Sequence, residues 1–475
     1  MRYLTMLTAA AAIVGALSAC AAPAGAGEAD EAGAILAASR AGGGLCLHLG
    51  CGRAGSAGLT AALAEASAMP VHGLALDDAA LARARAAIEA RGVPGRAMVE
   101  KLSGKSLPYL PDLARLAVVE DLGALAAAGI SREEVLRVLA PGGSLCVQDG
   151  GKWTVTVKPR PKEMDDWTHP HHGPDGNLVS DDRALCFPID LRWIDGVPFD
   201  RGGFGECASC RAVVLAGGRC FTVNNDELGS AGSAILKARD AYSGFPLWKF
   251  SCEAGYGKVE LDWRNVWPLA ADARRVYVAR KDALVILDAA TGKVETASPT
   301  RFQPRRLLLV DGCLVTACWE KLEFSNFKDG FENDAIRSVW WPGGAGSVEV
   351  FDAETGKPKW TLPLSALTIA ASDGALYVLT HKGNPPTERE VVAVELATGR
   401  EKWRVPHTAF GEEADTCLNF AGPGCAVISK SKAAGKRGVF VLSAADGKVL
   451  YSIPNSIARF IVGSELWCTD GRYDL

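Results

Sequence analysis

Asp352-Ala353-Glu354-Thr355-Gly356-Lys357-Pro358-Lys359-Trp360 decides the fold of this chain, because four relatives of it recur between residues 240 and 451. They are Asp240-Ala241-Tyr242-Ser243-Gly244 with Trp248, Asp288-Ala289-Ala290-Thr291-Gly292, Glu395-Leu396-Ala397-Thr398-Gly399 with Trp403, and Ser443-Ala444-Ala445-Asp446-Gly447 with Tyr451. An Asp at the head of such a turn can accept from turn amides, and the Gly supplies a positive φ. A Trp four residues after the Gly is large enough to wedge between neighbouring sheets. Upstream of several turns stands a second hairpin signal, at Gly217-Gly218, Asp311-Gly312 and Asp373-Gly374. Each unit therefore reads as four short antiparallel strands, and most units recur at the roughly 40–50 residues of a propeller blade. One such sheet cannot bury both faces, whereas radial stacking lets each cover the next. The expectation is an all-β propeller over residues 186–475, with about six to eight blades. Residues 458–473 begin a further strand pair without its turn partner, so the ring is incomplete, closed by an N-terminal strand, or part of a longer protein.

With these turns in view, the chain resembles the quinoprotein-like (PQQ-like) propeller family, whose blades carry an A-x-D-x-x-T-G-K-x-x-W docking motif; Lys357 to Trp360 and Arg400 to Trp403 fit it closely. The resemblance implies that Trp248, Trp360 and Trp403 fasten blade to blade. It leaves the chemistry open, because the motif is shared by pyrroloquinoline quinone (PQQ) dehydrogenases and by cofactor-free scaffold lipoproteins. A dehydrogenase of this kind implies a quinone near the propeller axis, a calcium ion held by oxygen ligands and an Asp base. Many such enzymes also carry a disulfide between adjacent cysteines, and no two of the fourteen cysteines here are adjacent.

Residues 41–158 alternate strand and helix, the pattern of a Rossmann-like α/β domain with a parallel sheet. Its first strand runs into Leu49-Gly50-Cys51-Gly52-Arg53-Ala54-Gly55, and Leu139-Ala140-Pro141-Gly142-Gly143 precedes a later strand. Together they resemble class I methyltransferases that use S-adenosylmethionine (SAM), which implies that Gly50, Cys51, Gly52 and Gly55 line the methionine part of the cofactor. The chain departs from that pattern at two places. His48 stands where the family usually has an acidic residue, and Ala75 where a carboxylate grips the ribose; Asp77, or Asp78, is the substitute from a shifted position. The usual closing strands of the fold are expected to be missing, apart from one strand over 152–158. Given an export signal, a silent or repurposed domain is favoured over an active methyltransferase.

The export signal is Arg2, an apolar run over 4–17 and Leu17-Ser18-Ala19-Cys20, read as a signal peptide (1–20) ending in a lipobox, with acylation of Cys20 and a small-residue tether over 21–40. Cleavage at Ala19 or just beyond is the plainer alternative. Either places the protein in the periplasm or at the cell surface. A net charge of −4 without a long basic block gives no reason to expect nucleic acid. Cys46, Cys146 and Cys313 lie in apolar strand patterns and read as buried thiols, while Cys207 and Cys210 form one C-x-x-C pair.

A linker over 159–185 holds Asp165-Asp166-Trp167-Thr168-His169-Pro170-His171-His172-Gly173-Pro174-Asp175-Gly176-Asn177. His169 and His172 are the candidate metal pair, with a nearby carboxylate completing the shell. The competing reading is a hydrogen-bonded loop that packs the linker on the propeller. Long loops over 199–210 and 321–346, with Trp340-Trp341, suit a binding face. The functions consistent with all this are a lipid-anchored scaffold that engages an envelope protein or polysaccharide, a PQQ- and calcium-dependent oxidoreductase, or a SAM-dependent methyltransferase.

Overall fold

The computed structural model describes residues 18–20, 27–185, 191–194, 212–225, 234–252, 268–328, 336–382, 388–410, 415–431 and 438–475. The signal run, the Cys20 side chain, the Cys207 and Cys210 pair and the side chains of Trp340 and Trp341 lie outside that description. The chain divides into two compact units: Met1–Met164 with Ala184–Asp195 and Arg239–Leu247, and Asp165–Arg183 with Gly196–Ala238 and Trp248–Leu475.

The first unit is Rossmann-like. In chain order it holds β1 (Ser18–Cys20), α1 (Glu28–Ser39), β2 (Cys46–Leu49), α2 (Leu59–Ala66), β3 (Val71–Ala75), α3 (Asp78–Ala90), β4 (Ala97–Lys101), β5 (Ala114–Val119), α4 (Leu122–Ala127), α5 (Arg132–Val138), β6 (Leu139–Asp149) and β7 (Lys152–Val157). The sheet order is β1-β7-β6-β5-β2-β3-β4. Strands β2 to β6 are parallel, which demands covered faces and explains their near-continuous apolar runs. One face buries Cys46, Val71, Leu116 and Val118 under α1, α2 and α3; the other buries Leu47, Leu49, Ala117 and Val119 with Val135 and Val138 of α5. Helix starts are set by caps: Ala80 N–H donates to Asp77 Oδ1 (2.7 Å), Ala124 N–H to Asp121 Oδ1 (2.8 Å) and Glu134 N–H to Ser131 Oγ (3.2 Å).

Two expectations are corrected here. The expected tether over 21–40 is in large part α1, with Ala32 and Ile35 fully buried against the sheet, and Glu31 Oε1 accepting from Trp153 Nε1 (3.0 Å). The sheet is also not purely parallel: β7, the one closing strand expected, runs antiparallel to β6, and a further strand, β1, runs antiparallel to β7. The tight Gly150-Gly151 turn, both residues at positive φ, permits the β6–β7 hairpin.

The second unit contains the propeller. Among the described residues, five four-stranded antiparallel sheets and one three-stranded sheet follow one another along the chain, with strands adjacent in sequence adjacent in space. Their first strands are Ala212–Ala216, Leu269–Ala271, Gln303–Val310, Ala366–Ser372, Asp415–Gly422 and Ala458–Val462, and first strands of consecutive sheets are neighbours. Apolar layers lie between sheets. Leu308, Val315 and Val350 of the third meet Ile369, Val378 and Val392 of the fourth, and Phe420 and Val441 of the fifth meet Ile461 and Leu466 of the sixth. Fully burying one Val or Ile side chain is worth about 1.5–3 kcal/mol, so each layer is a substantial fastening between sheets that have little stability alone.

Candidate functional site

The repeated turn builds the same local structure five times. Asp288 Oδ1 accepts from the backbone N–H and hydroxyl of Thr291 (2.8 and 2.6 Å), Asp352 does the same with Thr355 (2.8 and 2.8 Å), and Glu395 Oε2 takes the Thr398 hydroxyl (2.6 Å). Gly292, Gly356 and Gly399 sit at φ of +69°, +68° and +74°. The tryptophans find equivalent places. Trp248 Nε1 donates to Ala289 O (3.1 Å), Trp360 Nε1 to Leu396 O (2.9 Å) and Trp403 Nε1 to Ala444 O (3.0 Å). Their rings lie on Gly292, Gly399 and Gly447 so closely that a Cβ there would be 2.5–2.9 Å from ring carbons. Trp193 repeats this with Gly244 and Ala241 O (2.9 Å). Gly356 has no Trp; Thr296 and Ser298 take that place, and Ser298 Oγ donates to Gly356 O (2.6 Å).

The histidine-rich segment is a hydrogen-bonded loop packed on the propeller sheets, the alternative to the metal pair. It contacts all six sheets in chain order, always at the equivalent position. Trp167 exchanges two backbone bonds with Leu215 (2.8 and 2.7 Å), Ala271 N–H donates to Thr168 O (3.0 Å), and Leu309 N–H donates to His169 Nε2 (2.8 Å). Ala371 N–H then donates to Pro174 O (2.9 Å), Ala421 N–H to Asp175 O (2.9 Å), and Ile461 bonds Asn177 through both its N–H (3.0 Å) and its C=O (2.9 Å). Leu215, Ala271, Leu309, Ala371, Ala421 and Ile461 each stand one residue before the last residue ahead of the first hairpin turn of their sheet. First strands carry a free edge, and a buried unpaired N–H is costly; this segment satisfies one amide per sheet.

His169 is 1 % exposed. Because Nε2 accepts from Leu309 N–H, its proton is on Nδ1, which faces Thr168 Oγ1 (2.8 Å), and that hydroxyl donates to His172 O (3.1 Å). Burial, reinforced by the His172 charge, lowers the His169 pKa to about 3. His172 Nε2 bonds Asp165 Oδ2 (2.6 Å), which also accepts from Ser180 Oγ (3.0 Å) and Asp181 N–H (2.9 Å). Burial opposes ionisation of Asp165, but the bonds from His172, two backbone amides and Ser180 outweigh it and hold the carboxyl near pKa 2. Of the expected metal pair, His169 has both ring nitrogens engaged in hydrogen bonds and His172 Nε2 is bonded to Asp165, and among the described residues no group of three or more His, Cys, Asp or Glu is placed to hold a metal ion. Asp165 Oδ2 accepts from His172, Ser180 and Asp181, and Asp175 Oδ1 accepts from Asn177 N–H (3.1 Å).

The glycine loop of the first unit is also filled by its own side chains. Fully buried His48 donates from Nε2 to Glu120 Oε1 (3.0 Å), its Nδ1 lies 2.8 Å from Thr60 Oγ1, and Ser56 Oγ donates to Glu120 Oε2. Gly52 packs directly on the Ala80 carbonyl of α3, and Arg83 Nε donates to Gly52 O (2.9 Å). Gly50 and Gly55 are more open. Cys51 is fully buried, its thiol pushed up to about 12 by burial. Ala75 is fully buried, Asp77 caps α3 and Asp78 pairs with Lys101 (2.8 Å). With an alanine at the ribose position and a carboxylate network inside the loop, the residues present do not fit SAM. Glu120 was not anticipated; its position just after β5 became informative only once β5 was seen beside β2.

Residues 343–464 match the family model described as PQQ_2, outer membrane protein assembly factor BamB. A search of curated proteins finds no match. Among solved structures, the quinohemoprotein alcohol dehydrogenase ADHIIG of Pseudomonas putida HK5 is 16% identical, covering 62% of this chain and 49% of its own, with a TM-score of 0.40. A europium-containing methanol dehydrogenase is 12% identical over 62% of this chain and 59% of its own, TM-score 0.41, so this chain spans only about half to three fifths of either protein. A SAM-dependent methyltransferase described as putative, from Methanococcus maripaludis, is 15% identical over 28% of this chain and 86% of its own, TM-score 0.24. No helix among the described residues is long and apolar enough to cross a membrane. The chain joins a Rossmann-like α/β region to a propeller-like succession of antiparallel sheets, within which residues 343–464 match the PQQ_2 model.

Proposed function

We propose that this chain is an exported, lipid-anchored scaffold of the cell envelope, in which the propeller presents a binding face to an envelope protein or polysaccharide and the Rossmann-like domain keeps the shape of a methyltransferase without its chemistry. One observation carries the reading: both positions where a cofactor would be expected, the axis and the glycine loop, hold the protein's own hydrogen-bonded groups. The lipobox at Leu17 to Cys20 and the assembly-factor description of the matching family support the envelope placement. The test is calorimetry of the mature protein with SAM and, separately, with PQQ plus calcium. Absence of binding at tens of micromolar in both titrations is expected. Micromolar quinone binding with dye-linked alcohol oxidation would replace the scaffold reading by an oxidoreductase, and micromolar SAM binding lost in Asp77→Ala would replace it by a methyltransferase. Anchoring is checked apart from this, by acyl labelling that disappears in Cys20→Ser.

A further inference from the structure

We propose that the six first strands of the propeller form an axial peptide-binding channel, and that residues 165–177 are its resident ligand. The ligand class is a short peptide with a central tight turn, offering one acceptor per sheet. Two features of the segment match that demand. Its bonds advance one sheet at a time, from Leu215 through Ala271, Leu309, Ala371 and Ala421 to Ile461, as Trp167, Thr168, His169, Pro174, Asp175 and Asn177 follow in order. And where the backbone cannot reach, side chains stand in for it: the His169 imidazole supplies the acceptor for the third sheet and the Asn177 carboxamide supplies an acceptor and a donor to the sixth.

The spacing is not that of a straight strand. Between His169 and Pro174 the chain turns back on itself, with His169 and His172 exchanging two backbone bonds (3.2 and 3.1 Å) and His172 at φ +67°. Trp167 closes the turn, its ring meeting His172 edge-on with centroids 5.2 Å apart. The turn lets a short peptide reach sheets on all sides of an axis, and the carbonyls it leaves free are those the sheets use.

The experiment places specific protease sites after Lys162 and after Arg183, both in exposed chain, and cuts the folded full-length protein. The excised peptide 163–183 is expected to co-elute with the propeller. A fluorescent synthetic peptide 163–183 is expected to replace it saturably, and a peptide carrying H169A and N177A to do so at least 100-fold more weakly. Release of the peptide from a propeller that keeps its cooperative unfolding transition would overturn the proposal, as would equal affinity for the substituted peptide. If release unfolds the sheets, refolding on adding the synthetic peptide supports the proposal, and failure to refold at saturating peptide refutes it.

Discussion

Substituting Gly399 by Ala, alone and together with Trp360→Ala, tests whether the sheets are held by a ring wedged onto a turn glycine. A methyl group at Gly399 would sit 2.8 Å from Trp360 Cδ2, 2.9 Å from Cε3 and 3.2 Å from Cγ, with no other residue among its three closest neighbours. Two penalties follow for Gly399→Ala: about 1–2 kcal/mol for a Cβ at φ +74°, and about 1–3 kcal/mol for forcing the ring aside in a packed layer. Trp360→Ala removes the ring and its bond to Leu396 O, a loss of about 3 kcal/mol for a half-buried Trp. In the double variant the ring is gone, so the overpacking penalty vanishes while the φ penalty stays. The double variant should therefore be more stable than the sum of the single losses by about 1–3 kcal/mol. Gly374 provides the control, because it has φ +68° and nothing within 4 Å of its virtual Cβ; Gly374→Ala should lose only the φ term and show no coupling to Trp360. The assay is urea unfolding followed by far-ultraviolet circular dichroism, comparing midpoints at constant slope. Additivity of Gly399→Ala and Trp360→Ala within about 0.5 kcal/mol would refute the wedge.

Acid should weaken the propeller before it touches most surface ion pairs. Burial lowers His169 to about 3 and, with repulsion from Arg306, His171 to about 4, so below the ordinary histidine value the unfolded chain binds more protons than the folded one. Stability should be flat above about pH 6.5 and fall by about 1.4 kcal/mol per pH unit for each histidine as the pH drops toward 4, with Asp165 adding a further loss only below its ordinary value near pH 4; denaturant midpoints between pH 7.5 and 4 measure it, and a flat profile would contradict the neutral, hydrogen-bonded His169. Glu120→Gln should destabilise the Rossmann-like unit by about 1–3 kcal/mol by unmatching His48 and Ser56, seen as a lower melting temperature, whereas an unchanged melt would show that the loop network is not formed. The native protein should resist maleimide at pH 8 at Cys46, Cys51 and Cys146, whose thiols burial pushes well up, and react there after urea; peptide mass mapping reads this, and native labelling of Cys51 would mean that the glycine loop opens.

The blades were legible because their signal is local. Residues within five positions make the bonds of the turn, Asp with Thr at 288–291 and 352–355, Asp with Ser at 240–243 and Glu with Thr at 395–398, and in all five copies the Gly N–H donates to the carbonyl four residues before it. Trp360 and Trp403 were legible for the same reason, since they stand at a constant distance from their glycines, while the joint at Gly356 was not, because Thr296 and Ser298 do the work of a Trp that is missing. Helix α1 was misread as a tether because Ala and Gly dominate it; its packing depends on Ala32 and Ile35 meeting a sheet built more than a hundred residues wide in sequence. The histidine segment lies at the far end of this scale. Nothing within residues 165–177 specifies its partners, since the contacts run to six strands spread over nearly 250 residues, and four of the six acceptors are backbone carbonyls without any side-chain signature. What the sequence displays as a concentration of imidazole and carboxylate is a consequence of that position. Against the edge amides of the sheets, a neutral imidazole at buried His169, a carboxamide at Asn177 and prolines that cannot offer competing donors accompany the backbone acceptors. Clustered histidines therefore point to metal only when their nitrogens are left free by the fold, and in this chain the fold uses them.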